Sequence, residues 1–427
     1  MSFTPVDQQA RERARRDHTT SFVLEAGAGT GKTTLLIDRI ECLILSGHAS
    51  LEEIAAVTFT EIAATTLKLR LRERLERVRV ETGIPAAERE RAARALDLIE
   101  RAQVSTIHAL CGAILQERPL ECGVPPGFRM ADEAETDRLF AEAWSEWLDL
   151  RLVHGDPVLA EALDRNIPLE GAFGYGERTS LRGFARLLLE QRDLDPLLAS
   201  EAPDAESWRS ELRVQAARGR ELASQAKDGD ALAVRLEALA SFADQSRFLT
   251  GEALLSHLGR LPAITKTFGH KPRWPSPEVL GEARKLAEWT KQAADTWSTA
   301  LSSRFHGRLV AALQDVVRIY ERKKQTGGLL DFLDLLLKTR NALKKRPWLR
   351  SYFHSRFRFL IIDEFQDTDP LQVEIAGLLA GEHPGSLVVV GDAKQSIYRF
   401  RRAEVSLFRE AAEEARRQPG RAVLHLT

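Results

Sequence analysis

The segment Ala26-Gly27-Ala28-Gly29-Thr30-Gly31-Lys32-Thr33-Thr34 has the composition of a loop that wraps phosphate. Glycines let the backbone curl until successive amides converge on an anion, and a helix opening here adds its own unpaired amides. Lys32 supplies a point charge, and the Thr33 hydroxyl suits a Mg²⁺ ion. The usual phosphate-loop pattern has Gly where this chain has Ala26, and the remaining positions fit. A second constellation is Asp363-Glu364, directly after the apolar run Phe359-Leu360-Ile361-Ile362. Acids there stand at the C-terminal edge of a buried strand, where open α/β sheets bind ligands. Asp363 is expected to hold Mg²⁺, commonly through water, and Glu364 to orient or deprotonate an attacking water. After Leu387-Val388-Val389-Val390 comes Gly391-Asp392-Ala393-Lys394-Gln395-Ser396. Gln395 is placed to reach a γ-phosphate and report it to neighbouring segments, whereas Asp392 also reads as a plain turn residue. Together these groups describe nucleoside-triphosphate chemistry with Mg²⁺.

A different chemistry follows at once. Ser396-Ile397-Tyr398-Arg399-Phe400-Arg401-Arg402 interleaves two aromatics with three arginines, and bases stacked on aromatic faces with cations on the phosphates is how single strands are held. Thr58-Phe59-Thr60 and Ser105-Thr106-Ile107-His108 place hydroxyl and imidazole groups at two other strand ends, suited to phosphate and sugar. His108 alone would more simply be a structural histidine. The Arg11 to Arg16 cluster reads as one face of the first helix, and Lys344-Lys345-Arg346 and Lys271-Pro272-Arg273-Trp274 as exposed surface.

The elements that must carry these residues are legible in the apolar spacing. Ser21-Phe22-Val23-Leu24, Ile54-Ala55-Ala56-Val57-Thr58 and Val104-Ser105-Thr106 read as strands separated by helices, which predicts a parallel sheet with right-handed crossovers. From Leu110 to Ser355 the spacing is helical, and strands return at Phe359–Ile362, Leu387–Val390 and Ala422–Leu426. The expected architecture is one α/β domain split in sequence by a large, mostly α-helical insertion.

At 427 residues the chain has room for two to three domains of roughly 150 residues each. Its 44% hydrophobic content excludes a disordered protein. Lys plus Arg total 61 against 62 Asp plus Glu, so a globally basic nucleic-acid binder is excluded while a local basic groove is not. Three cysteines, Cys42, Cys111 and Cys122, form neither a disulfide framework nor a metal-ligand pattern and point to a reducing, cytoplasmic compartment. No run of ~20 apolar residues suggests a membrane span.

Taken in order, these segments resemble the N-terminal half of superfamily-1 helicases of the UvrD/Rep/PcrA type, and more closely the RecB/AddA branch. Glu25 to Thr33 looks like motif I, where that family also uses Ala at position 26. Thr58-Phe59-Thr60 with Ala63-Ala64 and Arg70 looks like motif Ia, and Ser105 to Cys111 like motif Ib. Leu330-Asp331-Phe332-Leu333-Asp334-Leu335-Leu336 resembles the segment before motif II, Asp363 to Pro370 motif II, and Val390 to Arg401 motif III. Arg402, where many UvrD-type relatives have Gly, favours the RecB/AddA branch.

The resemblance implies a RecA-like motor domain 1A over residues 1–110 and 356–427, with a helical insertion 1B over 111–355. It implies ATP-driven 3′-to-5′ translocation on single-stranded DNA, helicase action at single-strand/duplex junctions, and a role in recombination or double-strand-break repair. A nuclease or helicase partner subunit is a further implication. By the same likeness Tyr398 and Phe400 would stack on bases, Phe59, Thr60, Thr106 and His108 would line the strand, and Gln366 and Gln395 would couple phosphate to DNA. The adenine-reading glutamine would be Gln8 or Gln9. By the resemblance, motifs IV to VI and the second RecA-like domain are absent from this chain, which would leave it slow at hydrolysis. The rival readings are an ATP-binding, nucleic-acid-binding regulatory module without unwinding, and a phosphate-loop enzyme acting on small molecules.

Overall fold

In the computed structural model, residues 7–171, 179–194, 203–396 and 404–427 are described. The chain divides into two compact units, one of residues 1–139 with 321–427 and one of residues 140–320. Strands β1 (Ser21–Ala26), β2 (Ile54–Thr58), β3 (Gln103–Thr106), β4 (Arg129–Met130), β5 (Leu329–Leu330), β6 (Phe359–Ile362), β7 (Leu387–Gly391) and β8 (Arg421–Leu426) all lie in the first unit. Six of them form one parallel sheet in the order β3-β2-β6-β7-β1-β8. The short β4 and β5 pair separately, Arg129 opposite Leu329.

Side chains alternate across each strand, so a strand covered on both faces reads as a continuous apolar run. Phe22, Leu24, Ile54, Ala56, Ile361 and Val390 pack under helices α1 (Gln8–Arg16), α2 (Lys32–Ser46), α3 (Glu61–Val80) and α4 (Ala86–Asp97). Val23, Val57, Leu360, Ile362 and Val389 face the opposite layer. That layer contains α5 (Ile107–Glu117) and the helices Phe332–Lys345, Pro347–Arg356, Pro370–Leu379 and Val405–Arg417. Leu110, Leu343, Leu349 and Ile375 are wholly inaccessible, each contributing about 1.5–3 kcal/mol by burial.

The helical character expected over 111–355 is present among the described residues, but its grouping differs. Residues 111–139 and 321–355 belong to the sheet unit, because α5 and the two helices from Phe332 to Arg356 bury their apolar faces on the sheet. Helical periodicity records that a face is buried and not against what. Residues 140–320 have their own core, centred on Leu212, Leu236, Leu286 and Trp297, with Trp208 stacked on Trp297 at 5.0 Å. Trp274, expected on the surface, is buried in that core, since the ring outweighs its basic neighbours in apolar area. No helix among the described residues is long and apolar enough to cross a membrane.

Two buried polar features give predictions. Lys324 is enclosed by carboxylates, with Asp331 at 2.9 Å, Glu321 at 3.0 Å and Asp334 in direct contact. Asp331 and Asp334 also cap the helix Phe332–Lys345 reciprocally, each side chain accepting the other's backbone amide at 2.9 Å. Lys324→Ala would strand buried carboxylates and is expected to cost about 3–5 kcal/mol, read from urea unfolding midpoints. His18 is buried edge-on to His48, 4.5 Å between ring centroids, and both of its ring nitrogens lack a hydrogen bond. Burial, aided by the Arg39 charge, lowers its pKa from 6.5 to about 4. Between those values the unfolded chain binds the extra proton, so His18's contribution is present above pH 6.5 and is lost as pH falls toward 4. The melting temperature of the wild type should therefore fall more steeply from pH 7 to pH 5 than that of His18→Phe.

Candidate functional site

Because the six strands are parallel, the segments that follow β1, β6, β7, β2 and β3 all emerge at one edge of the sheet. The loop after β1 turns through Gly29 (φ +76°) and Gly31 (φ +82°), left-handed conformations that a side chain would strain. Thr30 folds back on it, its amide at 3.4 Å and its hydroxyl at 2.9 Å from the carbonyl of Gly27. Ala28, Gly29, Gly31 and Thr34 are exposed, while Gly27, Thr30, Lys32 and Thr33 are half-buried and Ala26 is buried in the sheet. The N-terminus of the 15-residue α2 opens there, with Lys32 and Thr33 in its first turn.

Lys32 Nζ reaches Glu364 Oε2 at 2.8 Å, across 332 positions of sequence. Glu364 holds a left-handed backbone (φ +51°, ψ +44°), which costs a non-glycine residue about 1–2 kcal/mol. Gln366 helps retain it: its Nε2 donates to Glu364 Oε2 at 2.8 Å and to Asp367 Oδ2 at 3.1 Å. The Gln366 Oε1 accepts the amide of Asp392 at 2.9 Å, joining the ends of β6 and β7. Gln395 Nε2 in turn donates to Asp392 Oδ2 at 2.6 Å, and Asp392 Oδ1 accepts the amide of Lys394 at 2.9 Å. Asp392 thus both forms its turn and receives Gln395, and a chain of polar contacts runs Lys32–Glu364–Gln366–Asp392–Gln395.

Asp363 continues the sheet through its amide, bonded to Val57 O at 2.8 Å, and its Oδ1 accepts the Glu364 amide at 2.9 Å. Burial and the adjacent Glu364 charge push its carboxyl up to about 6, against the pull of that amide and of Lys32. An acid whose charge is under-compensated in this way suits a divalent cation. One carboxylate and the Thr33 hydroxyl, completed by phosphate oxygens and water, fit Mg²⁺, which seldom uses an all-protein cage.

Beside the carboxylates, a cavity of about 340 Å³ is lined by Phe59, Thr106, His108, Phe332, Asp363, Glu364 and Asp369, among others. Burial pushes the His108 pKa down, favouring the neutral ring, which meets Phe332 edge-on at 6.0 Å. The two threonine hydroxyls have structural work as well. Thr60 accepts the Ala63 amide at 3.1 Å to start α3, and does not line the cavity. Thr106 accepts the Ala109 amide at 3.3 Å to start α5 and donates to Glu61 at 2.7 Å. Tyr398 and Phe400 lie outside the described residues. Gln8 and Gln9 both lie exposed in the first turn of α1, so their positions leave the choice between them open.

Sequence reasoning missed two residues. Phe332 is 66% exposed and lines the cavity, although its spacing with Leu335, Leu336 and Leu343 assigns it to the buried face. Arg11, read as part of a solvated face, donates from Nη2 to the Thr30 carbonyl at 2.7 Å. Gly391 carries a consequence of the polar chain: a Cβ there would lie 2.7 Å from Gln366 Oε1 and 3.1 Å from the Phe408 ring. Gly391→Ala is expected to displace Gln366 and cost about 1–3 kcal/mol in a urea titration, whereas Gly377→Ala, exposed on a helix with open space around it, should cost nothing.

The UvrD/REP helicase N-terminal domain family matches residues 6–416. The chain is 28% identical over 459 residues to an ATP-dependent helicase/nuclease subunit from Levilactobacillus brevis, covering 95% of this chain and 35% of that protein. It is 28% identical over 460 residues to the protein of the same name from Syntrophomonas wolfei (98% and 36%), and 28% over 437 residues to that of Geobacillus kaustophilus (91% and 35%). The chain spans about a third of the length of these curated relatives. A match across nearly the whole sequence, on a parallel sheet with a phosphate loop and paired acids at one edge, means that the chain belongs to the UvrD/REP helicase N-terminal domain family.

Proposed function

We propose that this chain is the ATP-binding motor part of an ATP-dependent DNA helicase that translocates 3′ to 5′ on single-stranded DNA in recombination or double-strand-break repair. The observation that carries the reading is the 2.8 Å contact between Lys32 and Glu364, which joins the phosphate loop to the paired acids. The sheet unit is read as a RecA-like domain 1A and residues 140–320 as its helical insertion 1B. ATP would lie over residues 26–34, with Lys32 on its phosphates and Gln8 or Gln9 at the adenine. Thr33 and Asp363 would hold Mg²⁺, which when bound neutralises phosphate charge. Glu364 would orient the attacking water, and Gln366 with Gln395 would tie the phosphate end to the segment that carries Tyr398 and Phe400.

Single-stranded DNA would enter the cavity at Phe59, Thr106 and His108, near Thr60 and against the exposed ring of Phe332. The position of Asp363 and Glu364 on the same cavity supports coupling between hydrolysis and strand binding. The relatives are named as subunits of an ATP-dependent helicase/nuclease, which supports a partner protein.

Nucleotide binding and hydrolysis by the chain, with and without single-stranded DNA, test this. Lys32→Ala is expected to weaken nucleotide binding at least about tenfold, the loss of one charge-assisted contact to phosphate. Glu364→Gln should bind nucleotide within threefold of wild type yet lose the chain's slow hydrolysis, with or without DNA, by ~10² or more. DNA-stimulated hydrolysis that survives Lys32→Ala would overturn the reading. Nucleotide binding indifferent to DNA, with hydrolysis likewise unmoved, would favour a phosphate-loop enzyme acting on small molecules.

A further inference from the structure

Asp7 occupies the N-cap of α1, where an Asp side chain ordinarily accepts an amide of the first turn and adds stability to the helix. It makes no such bond. The carboxylate is turned elsewhere: Oδ1 accepts Arg11 Nε at 2.9 Å, and Oδ2 lies 2.8 Å from Arg11 Nη2 and accepts the Thr427 amide at 2.9 Å. Asp7 is buried, and the Arg11 hydrogen bond, aided by the Thr427 amide, holds its carboxyl below the usual carboxylate range. From this clamp Arg11 Nη2 also donates to the Thr30 carbonyl at 2.7 Å. Thr427 directly follows β8, whose Leu426 pairs with Ala26, the residue from which the loop leaves β1. One carboxylate therefore grips both the backbone leaving the edge strand and the guanidinium that grips the loop.

The gripped carbonyl matters because of peptide geometry. In a trans peptide the carbonyl and the following amide point in opposite directions, so fixing the Thr30 carbonyl toward α1 aims the Gly31 amide away from it. Flipping this peptide turns Thr30 ψ against Gly31 φ, and Gly31, without a Cβ, resists neither sign of φ. A flipped peptide would present a carbonyl where the loop needs a donor. Arg11 stands close enough to police it, its Nη1 3.6 Å from where a Cβ on Gly31 would be.

We propose that Arg11 is a positioning residue of the phosphate loop, clamped by Asp7 so that the loop's geometry follows the backbone at the exit of β8. The inference rests on reading that loop as a nucleotide site.

The test is equilibrium binding of a fluorescent ATP analogue to the 427-residue chain, alongside single-stranded DNA binding without nucleotide and a thermal melt. Arg11→Gln should weaken the analogue about tenfold and leave DNA affinity within twofold. Arg11→Lys should not rescue, because one ammonium cannot keep the two-pronged grip on Asp7 and also hold the Thr30 carbonyl. Asp7→Asn should lose about threefold, and the Asp7→Asn/Arg11→Gln pair should be no worse than Arg11→Gln alone. Unchanged affinity in a folded Arg11→Gln, full rescue by Lys, or additive losses would each overturn the proposal. Should Arg11→Gln fail to fold, Asp7→Asn decides it, and a folded Asp7→Asn with wild-type affinity refutes it. Lys32→Ala separates the two layers: if wild type and Lys32→Ala both bind no analogue, the nucleotide reading fails and this inference with it.

Discussion

The ion pair between Lys32 and Glu364 is the contact on which the site depends. With only 11% of the lysine side chain and 34% of the glutamate exposed, neither charge is fully hydrated, and each needs the other. The pair fixes the start of α2 relative to the end of β6. It also sets the local charge balance: Lys32 is committed to Glu364, so its help to the neighbouring Asp363 is too small to offset burial and the Glu364 charge. One lysine thus leaves two carboxylates in different states, one paired and the other under-compensated. That asymmetry is what a site needs if one acid is to hold a cation and the other to handle water.

The sheet order makes the pair possible. β7 lies between β1 and β6, so a contact from loop to acids must pass over the end of β7, and the chain has a glycine there. Any side chain at Gly391 would meet Gln366, the buried amide that binds Glu364 on one side and the Asp392 backbone on the other. Gln366 is 1% exposed and spends both ends of its amide, so a shift of either strand end is felt at the other. The left-handed backbone of Glu364 is the cost of this arrangement, offset by the contacts its carboxylate gains.

How far the sequence could be read follows the same physics. The four inner strands β1, β2, β6 and β7 were legible because strands buried on both faces are short unbroken apolar runs, the half-buried edge strands β3 and β8 were legible from short runs carrying β-branched residues, and the loop and the paired acids were legible from residue type after such runs. The boundary of the helical unit was not. α5 and the helix Phe332–Lys345 have ordinary amphipathic spacing, which states that one face is buried but not that the sheet covers it. Arg11 was hidden for a related reason: among Arg11, Arg13, Arg15 and Arg16 of α1, only the fold shows which guanidinium reaches the loop. Thr60 and Thr106 show the opposite limit, where a hydroxyl suited to a ligand by position is also the cap that begins a helix.

Phe332 shows how stability and site are joined. An aromatic ring left in water gives up the ~2–3 kcal/mol its burial would return, so something else must hold its helix end in place. Asp331, one residue away, does this by capping the helix that begins at Phe332 together with Asp334, and the buried Lys324 holds both carboxylates. Such a cluster is a poor source of net stability, since desolvating the charges consumes most of what their attraction returns. What it supplies is a fixed geometry: the helix can start in one register only, and the ring is carried against His108 at the mouth of the cavity. An ordered, exposed aromatic surface loses little further entropy when a flat partner stacks on it. The ion cluster behind the ring thereby serves the cavity in front of it.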